Sequence, residues 1–311
     1  MKNLLKKLSE INAAPGFEKE MREFIKSKLG TNGITEDAYG NLIVHREGTG
    51  SPVIVAVPMD VPSVFVTHIE ENSYVRFVCS GFDEKKLIGS KVRLGDKSGI
   101  VFAKKEKDAQ KGKEEYTDMF IDFGEGSAPE AQPGMIDAHF CDMGDNVSLF
   151  AAGVRGALCA VITSAMADVK RDTYFVFLAK TAAGQPSPSV LSFTHGATEL
   201  IAVDKSRAND YPGEKNIYAS LSGGVCLRIM DKAMISSQEM IRSLSKYKDE
   251  IKVQKEVSGE KCSAGVLHRE RCGLRGVSLG IPTRYFDEIC ETVNVKDIKA
   301  AADIITKYLN E

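Results

Sequence analysis

The chain opens with leucines at helical spacing among lysines (Leu4, Leu5, Leu8), and after a break at Ala14-Pro15-Gly16 apolar residues recur at Met21, Phe24, Ile25 and Leu29. That period predicts two helices over residues 1–30, the second starting near Phe17-Glu18. A turn at Tyr39-Gly40-Asn41 leads to the apolar runs Leu42-Ile43-Val44 and Val53-Ile54-Val55-Ala56-Val57. The second run is apolar at every position, as a central strand covered on both faces must be. From about Val64 to Val147 the texture changes to short alternating segments (Tyr74 to Cys79, Lys91 to Leu94, Gly99 to Ala103, Met119 to Phe123) punctuated by glycine, which predicts an inserted all-β domain. Helix and strand patterns then alternate again. Helices are expected over Ala157 to Val169, Ala197 to Leu200, Ser236 to Tyr247 and Asn294 to Leu309, and strands over Tyr174 to Ala179, Ile201 to Val203 and Gly276 to Ile281. The expected fold class is α/β: a mixed sheet sandwiched by helices, discontinuous over residues 1–63 and 148–311, with a small all-β domain inserted at 64–147. Strand order is not readable from the pattern.

Composition narrows the function classes. The 311 residues are 43% hydrophobic and 27% charged, an ordinary folded composition, and the length favours a main domain with a smaller companion. With 41 basic and 43 acidic residues the net charge is −2, so no overall field attracts nucleic acid or an anionic membrane surface, and neither is an expected partner. No apolar run approaches the roughly 20 residues that span a bilayer, and the first residues lack the apolar core and cleavage site of a signal peptide. Seven cysteines (Cys79, Cys141, Cys159, Cys226, Cys262, Cys272, Cys290) are odd in number and form no CxxC pair, which reads as reduced thiols. A cytoplasmic location is expected. The run from Lys104 to Glu115 mixes both signs and reads as a solvated hairpin loop.

Several smaller groups invite chemistry. Cys262, His268 and Cys272 have a C-x5-H-x3-C spacing that fits neither a structural zinc pattern nor a nucleophile signature. His139, Cys141, Asp142 and Asp145 crowd the end of the insertion and read as a structural turn, and His195 reads as the cap of the next helix ahead of a peptide contact. Ser222-Gly223-Gly224 lacks the context of a phosphate loop and reads as a turn.

Five stretches in order carry a resemblance: Ala14-Pro15-Gly16-Phe17-Glu18, Asp37-Ala38-Tyr39-Gly40-Asn41-Leu42, Met59-Asp60, Ala202-Val203-Asp204 and Gly280-Ile281-Pro282-Thr283-Arg284-Tyr285. Together they resemble the M42 family of metallo-aminopeptidases, the glutamyl aminopeptidase and endoglucanase-M-like proteins, over nearly the whole chain. The resemblance implies a zinc-peptidase-like sheet and a co-catalytic pair of divalent metals such as zinc, cobalt or manganese. It also implies a carboxylate base beside the bridging water, and self-assembly through the β domain into dimers and a hollow tetrahedral dodecamer. Two cations about 3.5–4 Å apart need a bridging carboxylate and several further ligands.

Most of those groups are replaced. Where the resemblance expects a histidine ligand two residues before Asp60, the chain has Pro58, and the nearest imidazoles are His45 and His68. The bridging aspartate falls at Gly153, in a stretch with no Asp, Glu or His between Asp145 and Asp168, and of that motif only Arg155 remains. The general-base position is Thr181 and the paired ligand position Ala182, again with no carboxylate between Asp172 and Glu199. Asp204 keeps a ligand position, and Asp287 stands where the final histidine is expected. The expected function is therefore an aminopeptidase-like protein without its di-metal centre: a structural, regulatory or peptide-binding subunit, homo-oligomeric or co-assembled with an active relative, with no cofactor expected. The alternatives are a two-metal aminopeptidase, the activity the family carries, and an enzyme of altered chemistry on the same scaffold. Asp60, Asp204 and Asp287 either converge on one hard cation such as Mg²⁺ or Ca²⁺, or are leftover acids paired with Lys or Arg.

Overall fold

The computed structural model describes residues 1–70, 74–107, 114–124, 132–184, 186–214 and 218–311. Helices α1 (Lys2–Glu10) and α2 (Lys19–Leu29) lead into β1 (Ile34–Glu36), β2 (Leu42–Arg46) and β3 (Thr49–Pro58). Next come β4 (Ser63–Ile69), β5 (Tyr74–Ser80), β6 (Lys91–Leu94), β7 (Lys97–Lys107), β8 (Glu114–Asp122) and β9 (Pro133–Ile136). The hairpin of β10 (Cys141–Met143) and β11 (Asn146–Leu149) precedes α3 (Ala152–Ala165), β12 (Arg171–Leu178), β13 (Glu199–Arg207) and β14 (Val225–Met230). The chain ends with α4 (Gln238–Ser245), β15 (Val253–Val257), β16 (Arg275–Arg284), β17 (Glu291–Asn294) and α5 (Val295–Tyr308).

Among the described residues eleven strands form one mixed sheet in the order β1-β2-β12-β3-β13-β16-β17-β11-β10, with β14 bonded to β16 and β15 to β14. The central neighbours β12, β3, β13 and β16 are parallel. Because side chains alternate along a strand, the continuous apolar runs feed two cores at once. Val53, Val55, Val57, Phe175, Phe177, Ile201 and Val203 face the five α-helices. Ile54, Ala56, Val176, Leu178, Leu200 and Ala202 face the other way, under the 3-10 turns Pro188–Phe193 and Ser263–Arg269. The α/β expectation holds, with 3-10 turns as the second layer. Strands β4-β5-β8-β7-β6-β9 close a small barrel around Val64, Val75, Val92, Val101 and Ile121.

Three local expectations change. No helix forms over Ala197 to Leu200: β13 begins at Glu199, because these residues pair between β3 and β16 and bury side chains on both faces. Helix α3 starts at Ala152, ahead of Ala157, with Gly153 and Gly156 in its first turns. Glycine's low helix propensity hides that start in sequence, and it is packing of Gly156 against Ile281 and Ile298 that favours the small residue. The large sheet takes the chain back at β10, where β11 pairs with β17, ahead of the expected boundary at 147. Short alternating strands look alike in sequence whichever sheet they join. The tip of the Lys104–Glu115 run, residues 108–113, lies outside the described residues. No helix among the described residues is long and apolar enough to cross a membrane.

Phe175 lies at the middle of the central sheet and is fully buried. Phe175→Ala should lower unfolding free energy by about 3–5 kcal/mol, the range for emptying an aromatic site in a core that cannot fully collapse. Urea denaturation checks this, and a loss below about 1 kcal/mol would mean the helix layer repacks freely.

Candidate functional site

Strands β3 and β12 end level with one another, since Leu178 pairs with Pro58, and β13 beside them, with Ala202 level with Ala56, runs on to Arg207. The carboxyl edge of such parallel strands is where open α/β sheets bind ligands. A cleft of about 240 Å³ opens there, and Pro58, Asp60, Thr181, Ala182, Asp204 and Asp287 all line it. Gly153 sits just behind, its neighbour Val154 at the wall. Positions far apart in the chain are thus brought to one place.

Asp60 is 1% exposed and fully engaged. Its Oδ1 accepts from the Thr181 amide at 2.9 Å and hydroxyl at 2.6 Å, and its Oδ2 from the Ala182 amide at 2.8 Å. Burial pushes its pKa up to about 6, and the three donors only partly offset that cost. The same loop is clamped from two other sides. The Lys180 amide donates to Glu18 Oε1 at 2.9 Å, and Glu18 also receives the Gly16 amide. The Ala179 amide donates to Asn41 Oδ1 at 2.9 Å, and Asn41 is held in turn by Asp37. From the barrel side Gly81 approaches so closely that a Cβ there would stand 2.4 Å from the Ala182 carbonyl oxygen.

Asp204 is buried, its Oδ2 accepting from the Ser263 amide and its Oδ1 from the Lys205 amide, both at 2.8 Å. Lys205, which the sequence reading did not single out, is a buried cation of the cleft, which Lys261 also lines. Its ammonium reaches Asp287 Oδ1 and Glu291 Oε1, both at 2.6 Å, and lies 4.1 Å from the centre of the Phe286 ring. Burial works to lower the Lys205 pKa, but the charges of Glu291 and Asp287 outweigh it and hold the amine above its ordinary value. Glu291, 1% exposed, also takes the amides of Gly153 at 3.0 Å and Asp287 at 3.1 Å. Tyr285 and Asp287 sit at φ 54° and 59°, a backbone region that costs a non-glycine residue about 1–3 kcal/mol and persists only where surroundings impose it. A Cβ on Gly153 would fall 2.4 Å from both Lys205 Cβ and Thr283 Oγ1. The signal available in sequence was a lysine directly after Asp204, at the end of the apolar run Leu200 to Val203.

The other candidates stay outside the cleft. His45 pairs with Asp172 at 2.5 Å and stacks on Tyr174 at the opposite end of β12, beside a larger cavity of about 710 Å³, and His68 lies on the barrel strand β4. Cys262 is buried, its thiol pushed up to about 12 by burial, whereas Cys272 is exposed. His268 is fixed to the Gly265 carbonyl. Asp142 and Asp145 pair with Lys2 and Lys296 around the β10–β11 hairpin. His195 is exposed in a turn before a strand, so it caps no helix. The amides of Ser222 and Gly224 are taken by Asp297.

The family model for M42 glutamyl aminopeptidase matches residues 40–304. A candidate aminopeptidase of Acetivibrio thermocellus is 29% identical, over 99% of this chain and 98% of that protein. The solved aminopeptidase of the archaeon Desulfurococcus kamchatkensis has the same fold, with a TM-score of 0.90 at 22% identity over 99% of this chain and 94% of that one. So does the TET1 peptidase of Pyrococcus horikoshii, which can assemble into a tetrahedron or a large octahedral shell (TM-score 0.85, 22% identity, 99% of each chain).

Two outcomes follow from the geometry. Lys205→Met leaves Glu291 buried without a cation and frees the strained turn, so urea denaturation should show a loss of about 3–5 kcal/mol; parental stability would mean the backbone amides suffice for Glu291. Asp60 binds its proton more tightly folded than unfolded, so its contribution to stability is full below its ordinary value of 3.8 and is lost as pH rises through about 6. Between pH 4 and 7 the parent should therefore lose roughly 2 kcal/mol relative to Asp60→Asn. Parallel pH profiles for the two proteins would refute that assignment.

Proposed function

The chain belongs to the M42 glutamyl aminopeptidase family, and from that premise we propose that it is an aminopeptidase-like subunit whose two-metal centre has been dismantled and replaced by an internal ion network. The observation that carries this reading is the neutralisation of the cleft by the protein itself. Asp60 and Asp204 accept from backbone amides, and Asp287 and Glu291 share the Lys205 ammonium. Carboxylates in those bonds have few lone pairs left to aim at a cation.

The residues present do not fit a metal pair. Thr181 and Ala182, at the base and ligand positions, donate to Asp60 where carboxylates would accept metals. A bridging carboxylate at position 153 would collide with Lys205 and Thr283. Among the described residues no three His, Cys, Asp or Glu side chains are arranged to hold a metal ion. A hydroxyl cannot replace a general base, and each lost group removes several kcal/mol of transition-state stabilisation. The single-cation alternative for Asp60, Asp204 and Asp287 is disfavoured for the same reason, since Asp287 faces Lys205.

The role left is binding or assembly. The cleft keeps the carboxyl-edge position at which a peptide would lie, and the inserted region of residues 64–147 is the proposed dimerisation module. Val78, Ile100 and Phe102, about half exposed on β5 and β7, support an interface there. A homo-oligomer, dimeric or shell-forming as the Pyrococcus horikoshii peptidase is, or a mixed assembly with an active relative, fits this reading, as does a cytoplasmic location. The second reading, a metal-dependent aminopeptidase removing N-terminal residues from peptides, is favoured by family membership alone.

Elemental analysis of the purified protein before and after incubation with zinc, cobalt or manganese, with an aminoacyl-substrate panel on the same samples, separates the two. The expected result is substoichiometric metal, no turnover, and a melting temperature unchanged by chelator. Two tightly held metals per chain with turnover would restore the peptidase.

A further inference from the structure

A second cavity, of about 300 Å³, lies away from the carboxyl-edge cleft, between α1, the barrel and the first turn of α3. Arg155 lines it and is 2% exposed. Its Nη1 donates to the Leu8 carbonyl and its Nη2 to the Ile11 carbonyl at 3.3 Å, while Nε is buried without a partner. Among the described residues no carboxylate pairs with it, and burial alone lowers its pKa to about 10. Arginine is almost never fully buried unless its charge is compensated, and a guanidinium carries five N–H donors, of which two carbonyls engage only some. Arg228, the other fully buried guanidinium, shows the usual arrangement, with Glu256 at 2.9 Å and Asp231 at 3.6 Å.

The cavity wall adds positive charge. Arg93 lines it, holding the Glu10 carbonyl at 3.3 Å, and Lys6 stands at the rim. The acids facing it are Glu10, exposed at the rim, and Asp137, which has His139 Nδ1 at 3.4 Å. Phe150 supplies an apolar wall. The volume is about ten times the roughly 30 Å³ a water occupies, enough for a multi-atom anion.

We propose that this cavity binds a small oxyanion, a phosphate or short dicarboxylate, with buried Arg155 as its anchor and Arg93 as its second charged contact. Charge-assisted bonds to a guanidinium are among the strongest and most directional available to an oxyanion. The site does not depend on how the carboxyl-edge cleft is read.

Calorimetric titration of the full chain with inorganic phosphate and with malonate, against chloride at matched ionic strength, tests it. Binding of either anion above chloride is expected, and which one binds assigns the class. Arg93→Gln should weaken that affinity about tenfold, the effect of one charged contact, and Arg155→Gln should abolish it. If Arg155→Gln fails to fold, Arg93→Gln decides alone, since Arg93 lies on a barrel strand at the cavity wall. No binding beyond chloride, or an affinity unchanged in Arg93→Gln, overturns the proposal.

Discussion

Acids gathered at the edge of a sheet repel one another and lose hydration together, so a fold that places Asp60, Asp204, Asp287 and Glu291 around one cleft must bring something positive or hydrogen-bond-donating among them. Here the protein supplies it from its own chain. Lys205 sits between Asp287 and Glu291, and backbone amides of Ser263, Thr181 and Ala182 meet Asp204 and Asp60. The left-handed backbone at Tyr285 and Asp287 depends on that arrangement, because Glu291 takes the Asp287 amide while Lys205 holds its side chain. The close approach of α3 to β13 depends on it too, since only a glycine at 153 lets Lys205 pass.

The loop from Ala179 to Ala182 shows how distant sequence segments cooperate. Four successive amides are received by three side chains, Asn41, Glu18 and Asp60, that enter from a turn, a helix start and a strand end. The segments Gly16 to Glu18 and Asp37 to Asn41, two of the stretches that carry the family resemblance, act as clamps on this loop. They remain useful whatever stands at positions 181 and 182, because they bond to backbone.

Buried charge is handled in two further ways. Arg228 is enclosed with Glu256 and Ser206, a paired network that is costly to break once formed. Arg155 has carbonyls for partners and an open cavity at its side, and it joins α3 to the end of α1. Both guanidiniums tie elements of the large sheet domain together, but among the described residues only Arg228 has carboxylates beside it.

The sequence by itself determined the α/β class, the interruption by a β-rich segment and the central strands, because runs such as Val53 to Val57 are apolar at every position and have no stable place except between two covering layers. Through the family resemblance it also pointed to Asp60, Thr181, Ala182, Asp204 and Asp287 as one set of positions, and all five line the same cleft. Boundaries were less legible: the start of β13 and of α3 rests on packing that overrides local propensity, as at Ala197 to Leu200 and at Gly153. What only the tertiary structure decided is the partner of each acid. Lys205 and Glu291 are 86 residues apart, and neither carries a local signature of the other. A buried charge is assigned by which opposite charge the fold brings within about 3 Å, and that distance exists only once β13, β16 and β17 have packed side by side.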